Sequence, residues 1–282
     1  MFSKGEKKLL TEINGSKLYY EVHGKEDGEP IFFIHGAPGI GDCRADIVSF
    51  SSLGEEYKLV FIDMRGSGRS EEKPPFTHEQ WTADIDALRQ YLNLNQITIM
   101  GHSYGGFLTL EYLLRYQENV KRAILVDTAA NSKTVNQSVD RALESDLPID
   151  REKVIRLFAG QASSNEEMKE VFGSILPLYS VEYDEKLAKQ GLELIFYHYQ
   201  THNYAFHENQ PNYDVTGRLN EIKVPVLITV GRHDWITPVA SSEELNKGIN
   251  GSRLAIFENS GHSPHQEENA EFVKVVREFL AQ

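Results

Sequence analysis

Short apolar runs recur along the chain, each four or five residues long and each followed by a turn signal: Leu18–Val22, Pro30–Ile34, Leu59–Ile62, Ile97–Met100, Ala123–Val126, Val226–Val230 and Leu254–Phe257. Most are apolar at successive rather than alternate positions. That pattern predicts strands buried on both faces, as in a parallel sheet covered by helices. Between the runs the period lengthens. Trp81, Ile85, Leu88 and Leu92 recur at helical intervals behind Thr77, which has Gln80 three residues on, the capping-box spacing. Thr237 and Pro238 suit the N-cap and N1 positions of another helix. Phe272, Val275, Val276, Phe279 and Leu280 make the apolar side of a last helix, near Asn269 to Gln282. Strand alternating with helix predicts an α/β architecture with a mostly parallel central sheet.

The alternation stops in residues 131–221, which contain helical patterns (151–161 and 166–176) but no convincing strand. This stretch reads as a helical cap inserted into a core formed by residues 1–130 and 222–282. Its last part is rich in aromatics and histidines, and Tyr199, His202 and Tyr204 are the candidate substrate contacts. His198 and His202 have the i, i+4 spacing of a metal pair, but no third ligand is evident, so the expectation is aromatic pocket lining and no metal.

Composition narrows the partners. Acidic residues outnumber basic ones by 42 to 29 in 282 residues, a formal charge of −13 that repels nucleic acid and anionic membranes. No apolar run approaches the ~20 residues of a membrane span. The N-terminus, Met1 to Lys8, is charged and lacks the apolar stretch of a secretory signal, which predicts a cytoplasmic protein. Cys43 is the single cysteine, so no intrachain disulfide can form; a buried or pocket-edge thiol is expected. The expected partner is a small molecule or short peptide, with the cap as a candidate surface for a homo-oligomer.

The strongest chemical signal is Gly101-His102-Ser103-Tyr104-Gly105-Gly106, between the run Ile97–Met100 and a segment with Phe107, Leu110, Leu113 and Leu114 on one side. This is a G-x-S-x-G nucleophile elbow in its strand–turn–helix setting. A hydroxyl at neutral pH needs a base. Asp234 follows the run Val226–Val230 and His262 follows Leu254–Phe257, so both are expected at the sheet edge that carries Ser103. Ser103 then serves as nucleophile, His262 as base and Asp234 as its orienting acid. Three alternatives are weighed: His265 as base, His102 beside the nucleophile, and Asp127, which ends the run Ala123–Val126 and could supply the acid or simply shape a turn. His233 is expected to brace the acid loop. The oxyanion hole should use the amides of Tyr104 and of Ala37, the latter in His35-Gly36-Ala37-Pro38-Gly39. The turn Asp63-Met64-Arg65-Gly66-Ser67-Gly68-Arg69-Ser70 is given a structural, ion-paired role. Such a nucleophile–base system requires no cofactor.

On these motifs, with Gly231-Arg232-His233-Asp234 and Gly261-His262, the chain resembles the α/β-hydrolase superfamily, and within it the prolyl-aminopeptidase-like (proline iminopeptidase-like) branch, over essentially its whole length. The resemblance implies the α/β-hydrolase fold and places nucleophile, acid and base at Ser103, Asp234 and His262. The serine sets it apart from branches with aspartate at the elbow. It departs from the peptidases at Ala37, where they carry a second glycine. It departs again at Thr201-His202-Asn203-Tyr204, where a cap glutamate for the substrate's amino end is expected.

The first functional expectation is therefore a serine hydrolase, or esterase, that cleaves a small ester, lactone or amide through an acyl-enzyme. N-terminal proline release is the second. Carbon–carbon bond hydrolysis of a vinylogous diketone acid, and a slow ligand-binding sensor on the same fold, are the remaining ones.

Overall fold

The computed structural model describes residues 7–282; the charged segment 1–6 lies outside the described residues. The apolar runs form strands of one eight-stranded sheet: β1 (Lys7–Ile13), β2 (Ser16–Gly24), β3 (Pro30–Ile34), β4 (Lys58–Asp63), β5 (Ile97–His102), β6 (Val120–Val126), β7 (Val226–Gly231) and β8 (Arg253–Phe257). Their spatial order is β1-β2-β4-β3-β5-β6-β7-β8. β1 and β2 form a hairpin that joins β4 antiparallel. From β4 to β8 every pairing is parallel. This is the α/β-hydrolase fold expected from the sequence.

The period of two along each strand divides the core into two layers. Phe32, Ile34, Val60, Ile62, Ile99, Leu125 and Ile228 face one side, where they pack with Trp81, Ile85 and Leu88 of α2 (His78–Tyr91) and with Leu110 and Leu113 of α3 (Tyr104–Tyr116). Their neighbours Ile31, Phe33, Leu59, Phe61, Met100, Ile124 and Leu227 face the other side. There they meet Phe50 of α1 (Arg44–Phe50) and Phe272, Val276 and Phe279 of α11 (Asn269–Leu280). Thr77 caps α2 as expected, its Oγ1 accepting from the Gln80 amide at 3.1 Å. The reciprocal half of the capping box is absent: the Gln80 side chain donates instead to Asp84 at 2.8 Å.

Between β6 and β7 lie α4 (Lys133–Glu144), α5 (Arg151–Phe158), α6 (Asn165–Ile175), α7 (Glu185–Leu194) and α8 (Tyr199–Tyr204), with no strand among the described residues of that stretch. Asp150, Ser164 and Asp184 cap α5, α6 and α7 through their side chains. A third apolar cluster, including Val154, Met168, Val171 and Ile175, packs these helices against Trp235 and Ile236 of the loop after β7. After β7, α9 (Val239–Gly248) starts one residue later than expected, with Pro238 at its N-cap and Thr237 free for another use. α10 (Pro264–Glu267) completes the helices. Since the parallel strands share one direction, the loops after β3, β5, β6, β7 and β8 converge at one sheet edge.

Candidate active site

β5 ends at His102 and α3 begins at Tyr104, so Ser103 alone makes the turn, at φ 54°, ψ −122°. An L-residue avoids that region, and only firm surroundings hold it there. The Ser103 amide donates to Val126 O at 2.9 Å, and Thr128 Oγ1 donates to Ser103 O at 2.8 Å. The flanking glycines are needed for space. A methyl group at Gly101 would collide with the Gly105 carbonyl and Thr109 Oγ1, and one at Gly105 with the Ile34 carbonyl. Helix α3 thus sits tight against β3 and β5 with the hydroxyl exposed to the sheet edge.

The structure brings the acid and the histidine to that hydroxyl. His262 Nε2 lies 2.9 Å from Ser103 Oγ, and His262 Nδ1 lies 2.9 Å from Asp234 Oδ1. The atom facing Nδ1 is a carboxylate oxygen, which can only accept. Nδ1 therefore carries the proton, and Nε2 presents its lone pair to the serine. Asp234 is buried, which by itself pushes its acid up. The charge on His262 and hydrogen bonds from His262, Thr237 and the Ile236 amide outweigh that and hold it down at about 2. The threonine expected to cap α9 supplies one of these: Thr237 Oγ1 donates to Asp234 Oδ2 at 2.8 Å, and the Ile236 and Thr237 amides donate to Oδ1 at 2.8 and 3.1 Å.

The two amides expected to form the oxyanion hole belong to loops that both border the serine. Tyr104 N–H is the first of α3, and Ala37 has a left-handed φ of 33°. Neither amide donates to a loop or turn carbonyl among the described residues. Gly36 brings the loop close, since a methyl there would lie 3.0 Å from Ser103 Cβ. The turn from Asp63 to Ser70, read as structural, holds this loop. Ser67 Oγ accepts from the Gly39 amide at 2.9 Å, and His35 Nε2 accepts from the Met64 amide at 3.1 Å. Asp63 in turn is gripped by Arg69 Nε at 2.7 Å, and Arg65 pairs with Asp84.

The competitors have other partners. His102 donates from Nε2 to the His262 carbonyl at 2.8 Å, a positioning contact. Burial, then the nearby charge of His262, pulls its ring down to about 3, so it stays neutral. His265 stacks on Phe50 and meets His102 edge to face, with no hydrogen bond to the serine among the described residues. The imidazole of His233 is exposed; only its backbone braces the loop, the amide donating to Ser260 O at 2.9 Å. Cys43 is buried against Asp63 and Arg69, and burial, then the Asp63 charge, drives its thiol well up, which disables it as a nucleophile. Asp127 is buried beside the triad and accepts the Gly231 amide at 2.9 Å.

A cavity of about 910 Å³ opens over Ser103 and His262. Its helical wall comes from Phe158, Phe172, Leu176, Tyr179, Leu187 and Phe206. The proposed contacts Tyr199, His202 and Tyr204 are not among its lining residues. This corrects the expectation, because α8 turns its aromatic face inward: Tyr204 packs on Phe76, Tyr199 joins the third apolar cluster, and His202 Nε2 donates to Leu157 O at 3.0 Å. A π-turn at Ala205–Asn209 then rotates the chain so that Phe206 and Gln210 reach the cavity instead. His198 contacts Gly68 O at 3.0 Å, so both histidines of the i, i+4 pair have backbone partners. Tyr179 was not singled out in the sequence, yet its carbonyl accepts the His262 amide at 2.8 Å, tying the helical region to the base.

His202 makes a measurable prediction. Burial lowers its ring from 6.5 to about 4. Between those values the unfolded chain holds a proton there and the native state does not. Its contribution to stability is therefore complete above pH 6.5 and lost as pH falls toward 4, about 3 kcal/mol in all. His202→Phe should flatten the rise of unfolding free energy with pH across that window by up to ~1.4 kcal/mol per pH unit. Denaturant titrations at several pH values check this; parallel slopes for the two proteins would refute it.

The sequence model of a family described as alpha/beta hydrolase fold matches residues 29–269. The chain belongs to the α/β-hydrolase family. Among relatives of this hydrolase, a proline iminopeptidase (PfmaB) of Pestalotiopsis fici is 34% identical over 280 residues, covering 96% of this chain and 98% of the relative. A proline iminopeptidase of Saccharolobus solfataricus is 29% identical over 289 residues, covering 96% and 91%. These place the α/β hydrolase in the prolyl-aminopeptidase-like branch. Among solved structures, an enol-lactonase of Burkholderia xenovorans superposes with a TM-score of 0.79 at 22% identity, covering 97% of this chain and all of that one; this likeness concerns the fold alone. The protein is thus a hydrolase enzyme of the serine type. No helix among the described residues is long and apolar enough to cross a membrane.

Proposed function

We propose that this hydrolase cleaves a small ester, lactone or amide through an acyl-enzyme on Ser103, with residues 131–221 acting as a cap over the core. The observation that carries the reading is the continuous chain Ser103 Oγ–His262 Nε2 and His262 Nδ1–Asp234 Oδ1, 2.9 Å at each contact, opening onto a largely apolar cavity. As the serine oxygen attacks the substrate carbonyl, its proton passes to Nε2. Asp234, ionised across the neutral range, compensates the imidazolium that forms. The developing oxyanion faces the Ala37 and Tyr104 amides. His262 then gives the proton to the leaving group, and water repeats the sequence to release the acid. The cavity suits a compact substrate with an aromatic or apolar part. A cytoplasmic setting fits the single, reduced cysteine.

A second reading, release of an N-terminal residue with a free amino or imino group, is supported by the names of the relatives and by one feature of the cavity. Its charged lining is mostly acidic, with Arg44 already paired to Asp42. Two buried acceptors in that lining, Asp46 Oδ2 and Gln210 Oε1, have no donor among the described residues. Burial, then the charges of Asp42 and Asp63, raises the Asp46 acid to about 7. A protonated amine would pair with it above that pH.

The test is a panel of short acyl esters beside prolyl and alanyl arylamides. Esters are expected to be turned over faster; arylamide turnover rivalling theirs would make the aminopeptidase reading the first. Asp46→Asn is expected to raise KM for a prolyl arylamide ~10-fold or more at pH 8, the loss of one charge-assisted hydrogen bond. KM for a neutral ester should stay within about 2-fold. Equal effects on both substrates would remove Asp46 from substrate recognition. Stoichiometric rather than repeated product release would instead favour a ligand sensor.

A further inference from the structure

Asp127, the first residue after β6, is fully buried and lies beside the triad. It takes a left-handed φ of 45°, and its amide donates to Thr229 O at 2.9 Å. Oδ1 accepts the Gly231 amide at 2.9 Å, which clamps the start of the acid loop. Oδ2 is buried and has no donor among the described residues. Asp127, Asp234 and His262 each offer an atom within 4.8 Å of the others, so the two buried carboxyls share one pocket.

Two ionised carboxylates in one dry pocket repel each other strongly, so a single proton between them is the stable arrangement. The donors decide which residue keeps the charge. Asp234 receives His262 Nδ1–H, two backbone amides and the Thr237 hydroxyl. Asp127 receives one amide. The charge therefore belongs on Asp234 and the proton on Asp127. Burial and the Asp234 charge also drive the Asp127 acid well up.

We propose that Asp127 is a neutral carboxylic acid whose proton is donated to Asp234, making it a positioning residue that orients the Asp234 carboxylate and a reserve acid when Asp234 is lost. In the native enzyme the pair carries one negative charge. If Asp234 is made neutral, Asp127 releases its proton to solvent and itself compensates the imidazolium. The charged and titratable groups around the pair are His262 and Glu267 on the β8 side, His102 beside His262, Tyr179 of the helical region, and Arg141 of α4, which donates to the Trp235 and Ile236 carbonyls.

The inference rests on the triad reading, and Ser103→Ala in the same assay tests that reading separately. Asp127→Asn, Asp127→Leu, Asp234→Asn and the double variant Asp127→Asn/Asp234→Asn are compared with a p-nitrophenyl ester, as kcat, KM and the pH profile of kcat/KM. Asparagine can both accept from Gly231 and donate to Asp234, so Asp127→Asn should hold kcat within ~3-fold. Asp127→Leu should lower kcat ~10-fold or more at unchanged KM and move the acidic limb of the profile upward, since Asp234 keeps its whole charge for the imidazolium. Asp234→Asn should lose only ~10²-fold, and the double variant the ~10⁴-fold typical of a triad without its acid. Two results would overturn the proposal: a loss in Asp127→Asn that shows an ionised Asp127 is needed, or a double variant no worse than Asp234→Asn. Neither depends on Asp127→Leu folding.

Discussion

Replacing Ser103 with alanine is expected to abolish labelling by a fluorophosphonate and to lower ester turnover by ~10⁴-fold or more. The size of the effect follows from geometry. The serine oxygen lies both on His262 Nε2, at 2.9 Å, and at the N-terminus of α3. His262→Ala should cost about as much, because the hydroxyl without its base is a weak nucleophile. The double variant should be little worse than either single one, since the groups act as a unit. Intact circular dichroism and thermal unfolding would show that the variants are folded. Labelling that survives in Ser103→Ala would put the nucleophile elsewhere, although the single thiol, Cys43, is buried.

The second large effect concerns stability. Arg65 and Asp84 are each 1% exposed and form a two-point pair, Nε to Oδ2 at 2.6 Å and Nη2 to Oδ1 at 2.9 Å. Arg65 also donates to the Asn14 and Lys73 carbonyls, and Trp81 Nε1 donates to the Arg65 carbonyl at 3.0 Å. The pair thus ties the β1–β2 turn to α2 and to the turn 63–70 that holds the loop 35–39. Arg65→Met should cost ~3–5 kcal/mol, most of it the penalty of leaving Asp84 charged and buried without its partner. Adding Asp84→Leu should restore much of that loss, because the stranded charge is removed. Urea unfolding at pH 7 checks both. A shift below ~1 kcal/mol for Arg65→Met would mean that water reaches the site and the pair behaves as a surface one.

Much of the catalytic edge was legible because its signals are local. Gly101, Gly105 and Ser103 are required by the collision of one turn with its own helix and the next strand, so their spacing carries the elbow directly. Asp234 and His262 were readable through a topological rule: each follows a strand that runs parallel to β5. The misreadings occurred where one residue has two local uses. Thr237-Pro238 matches a helix start, but the threonine hydroxyl is spent on Asp234, and the helix begins behind the proline. Gln80 has capping-box spacing, yet the Asp84 carboxylate held by Arg65 is the better acceptor.

By itself, the chain's pattern determined the alternating architecture, the buried strands, the elbow and the candidate residues Ser103, Asp234 and His262, because these follow from period, turn chemistry and strand order. The tertiary structure alone decided which helical side chains wall the cavity, that Tyr179 ties the helical region to His262, and that Asp127 lies against Asp234. Those facts depend on helix rotation and on contacts between segments far apart in the chain. A π-turn at Ala205–Asn209 separates Tyr199, His202 and Tyr204 on α8, which do not line the cavity, from Phe206 and Gln210, which do, and no apolar periodicity records that turn.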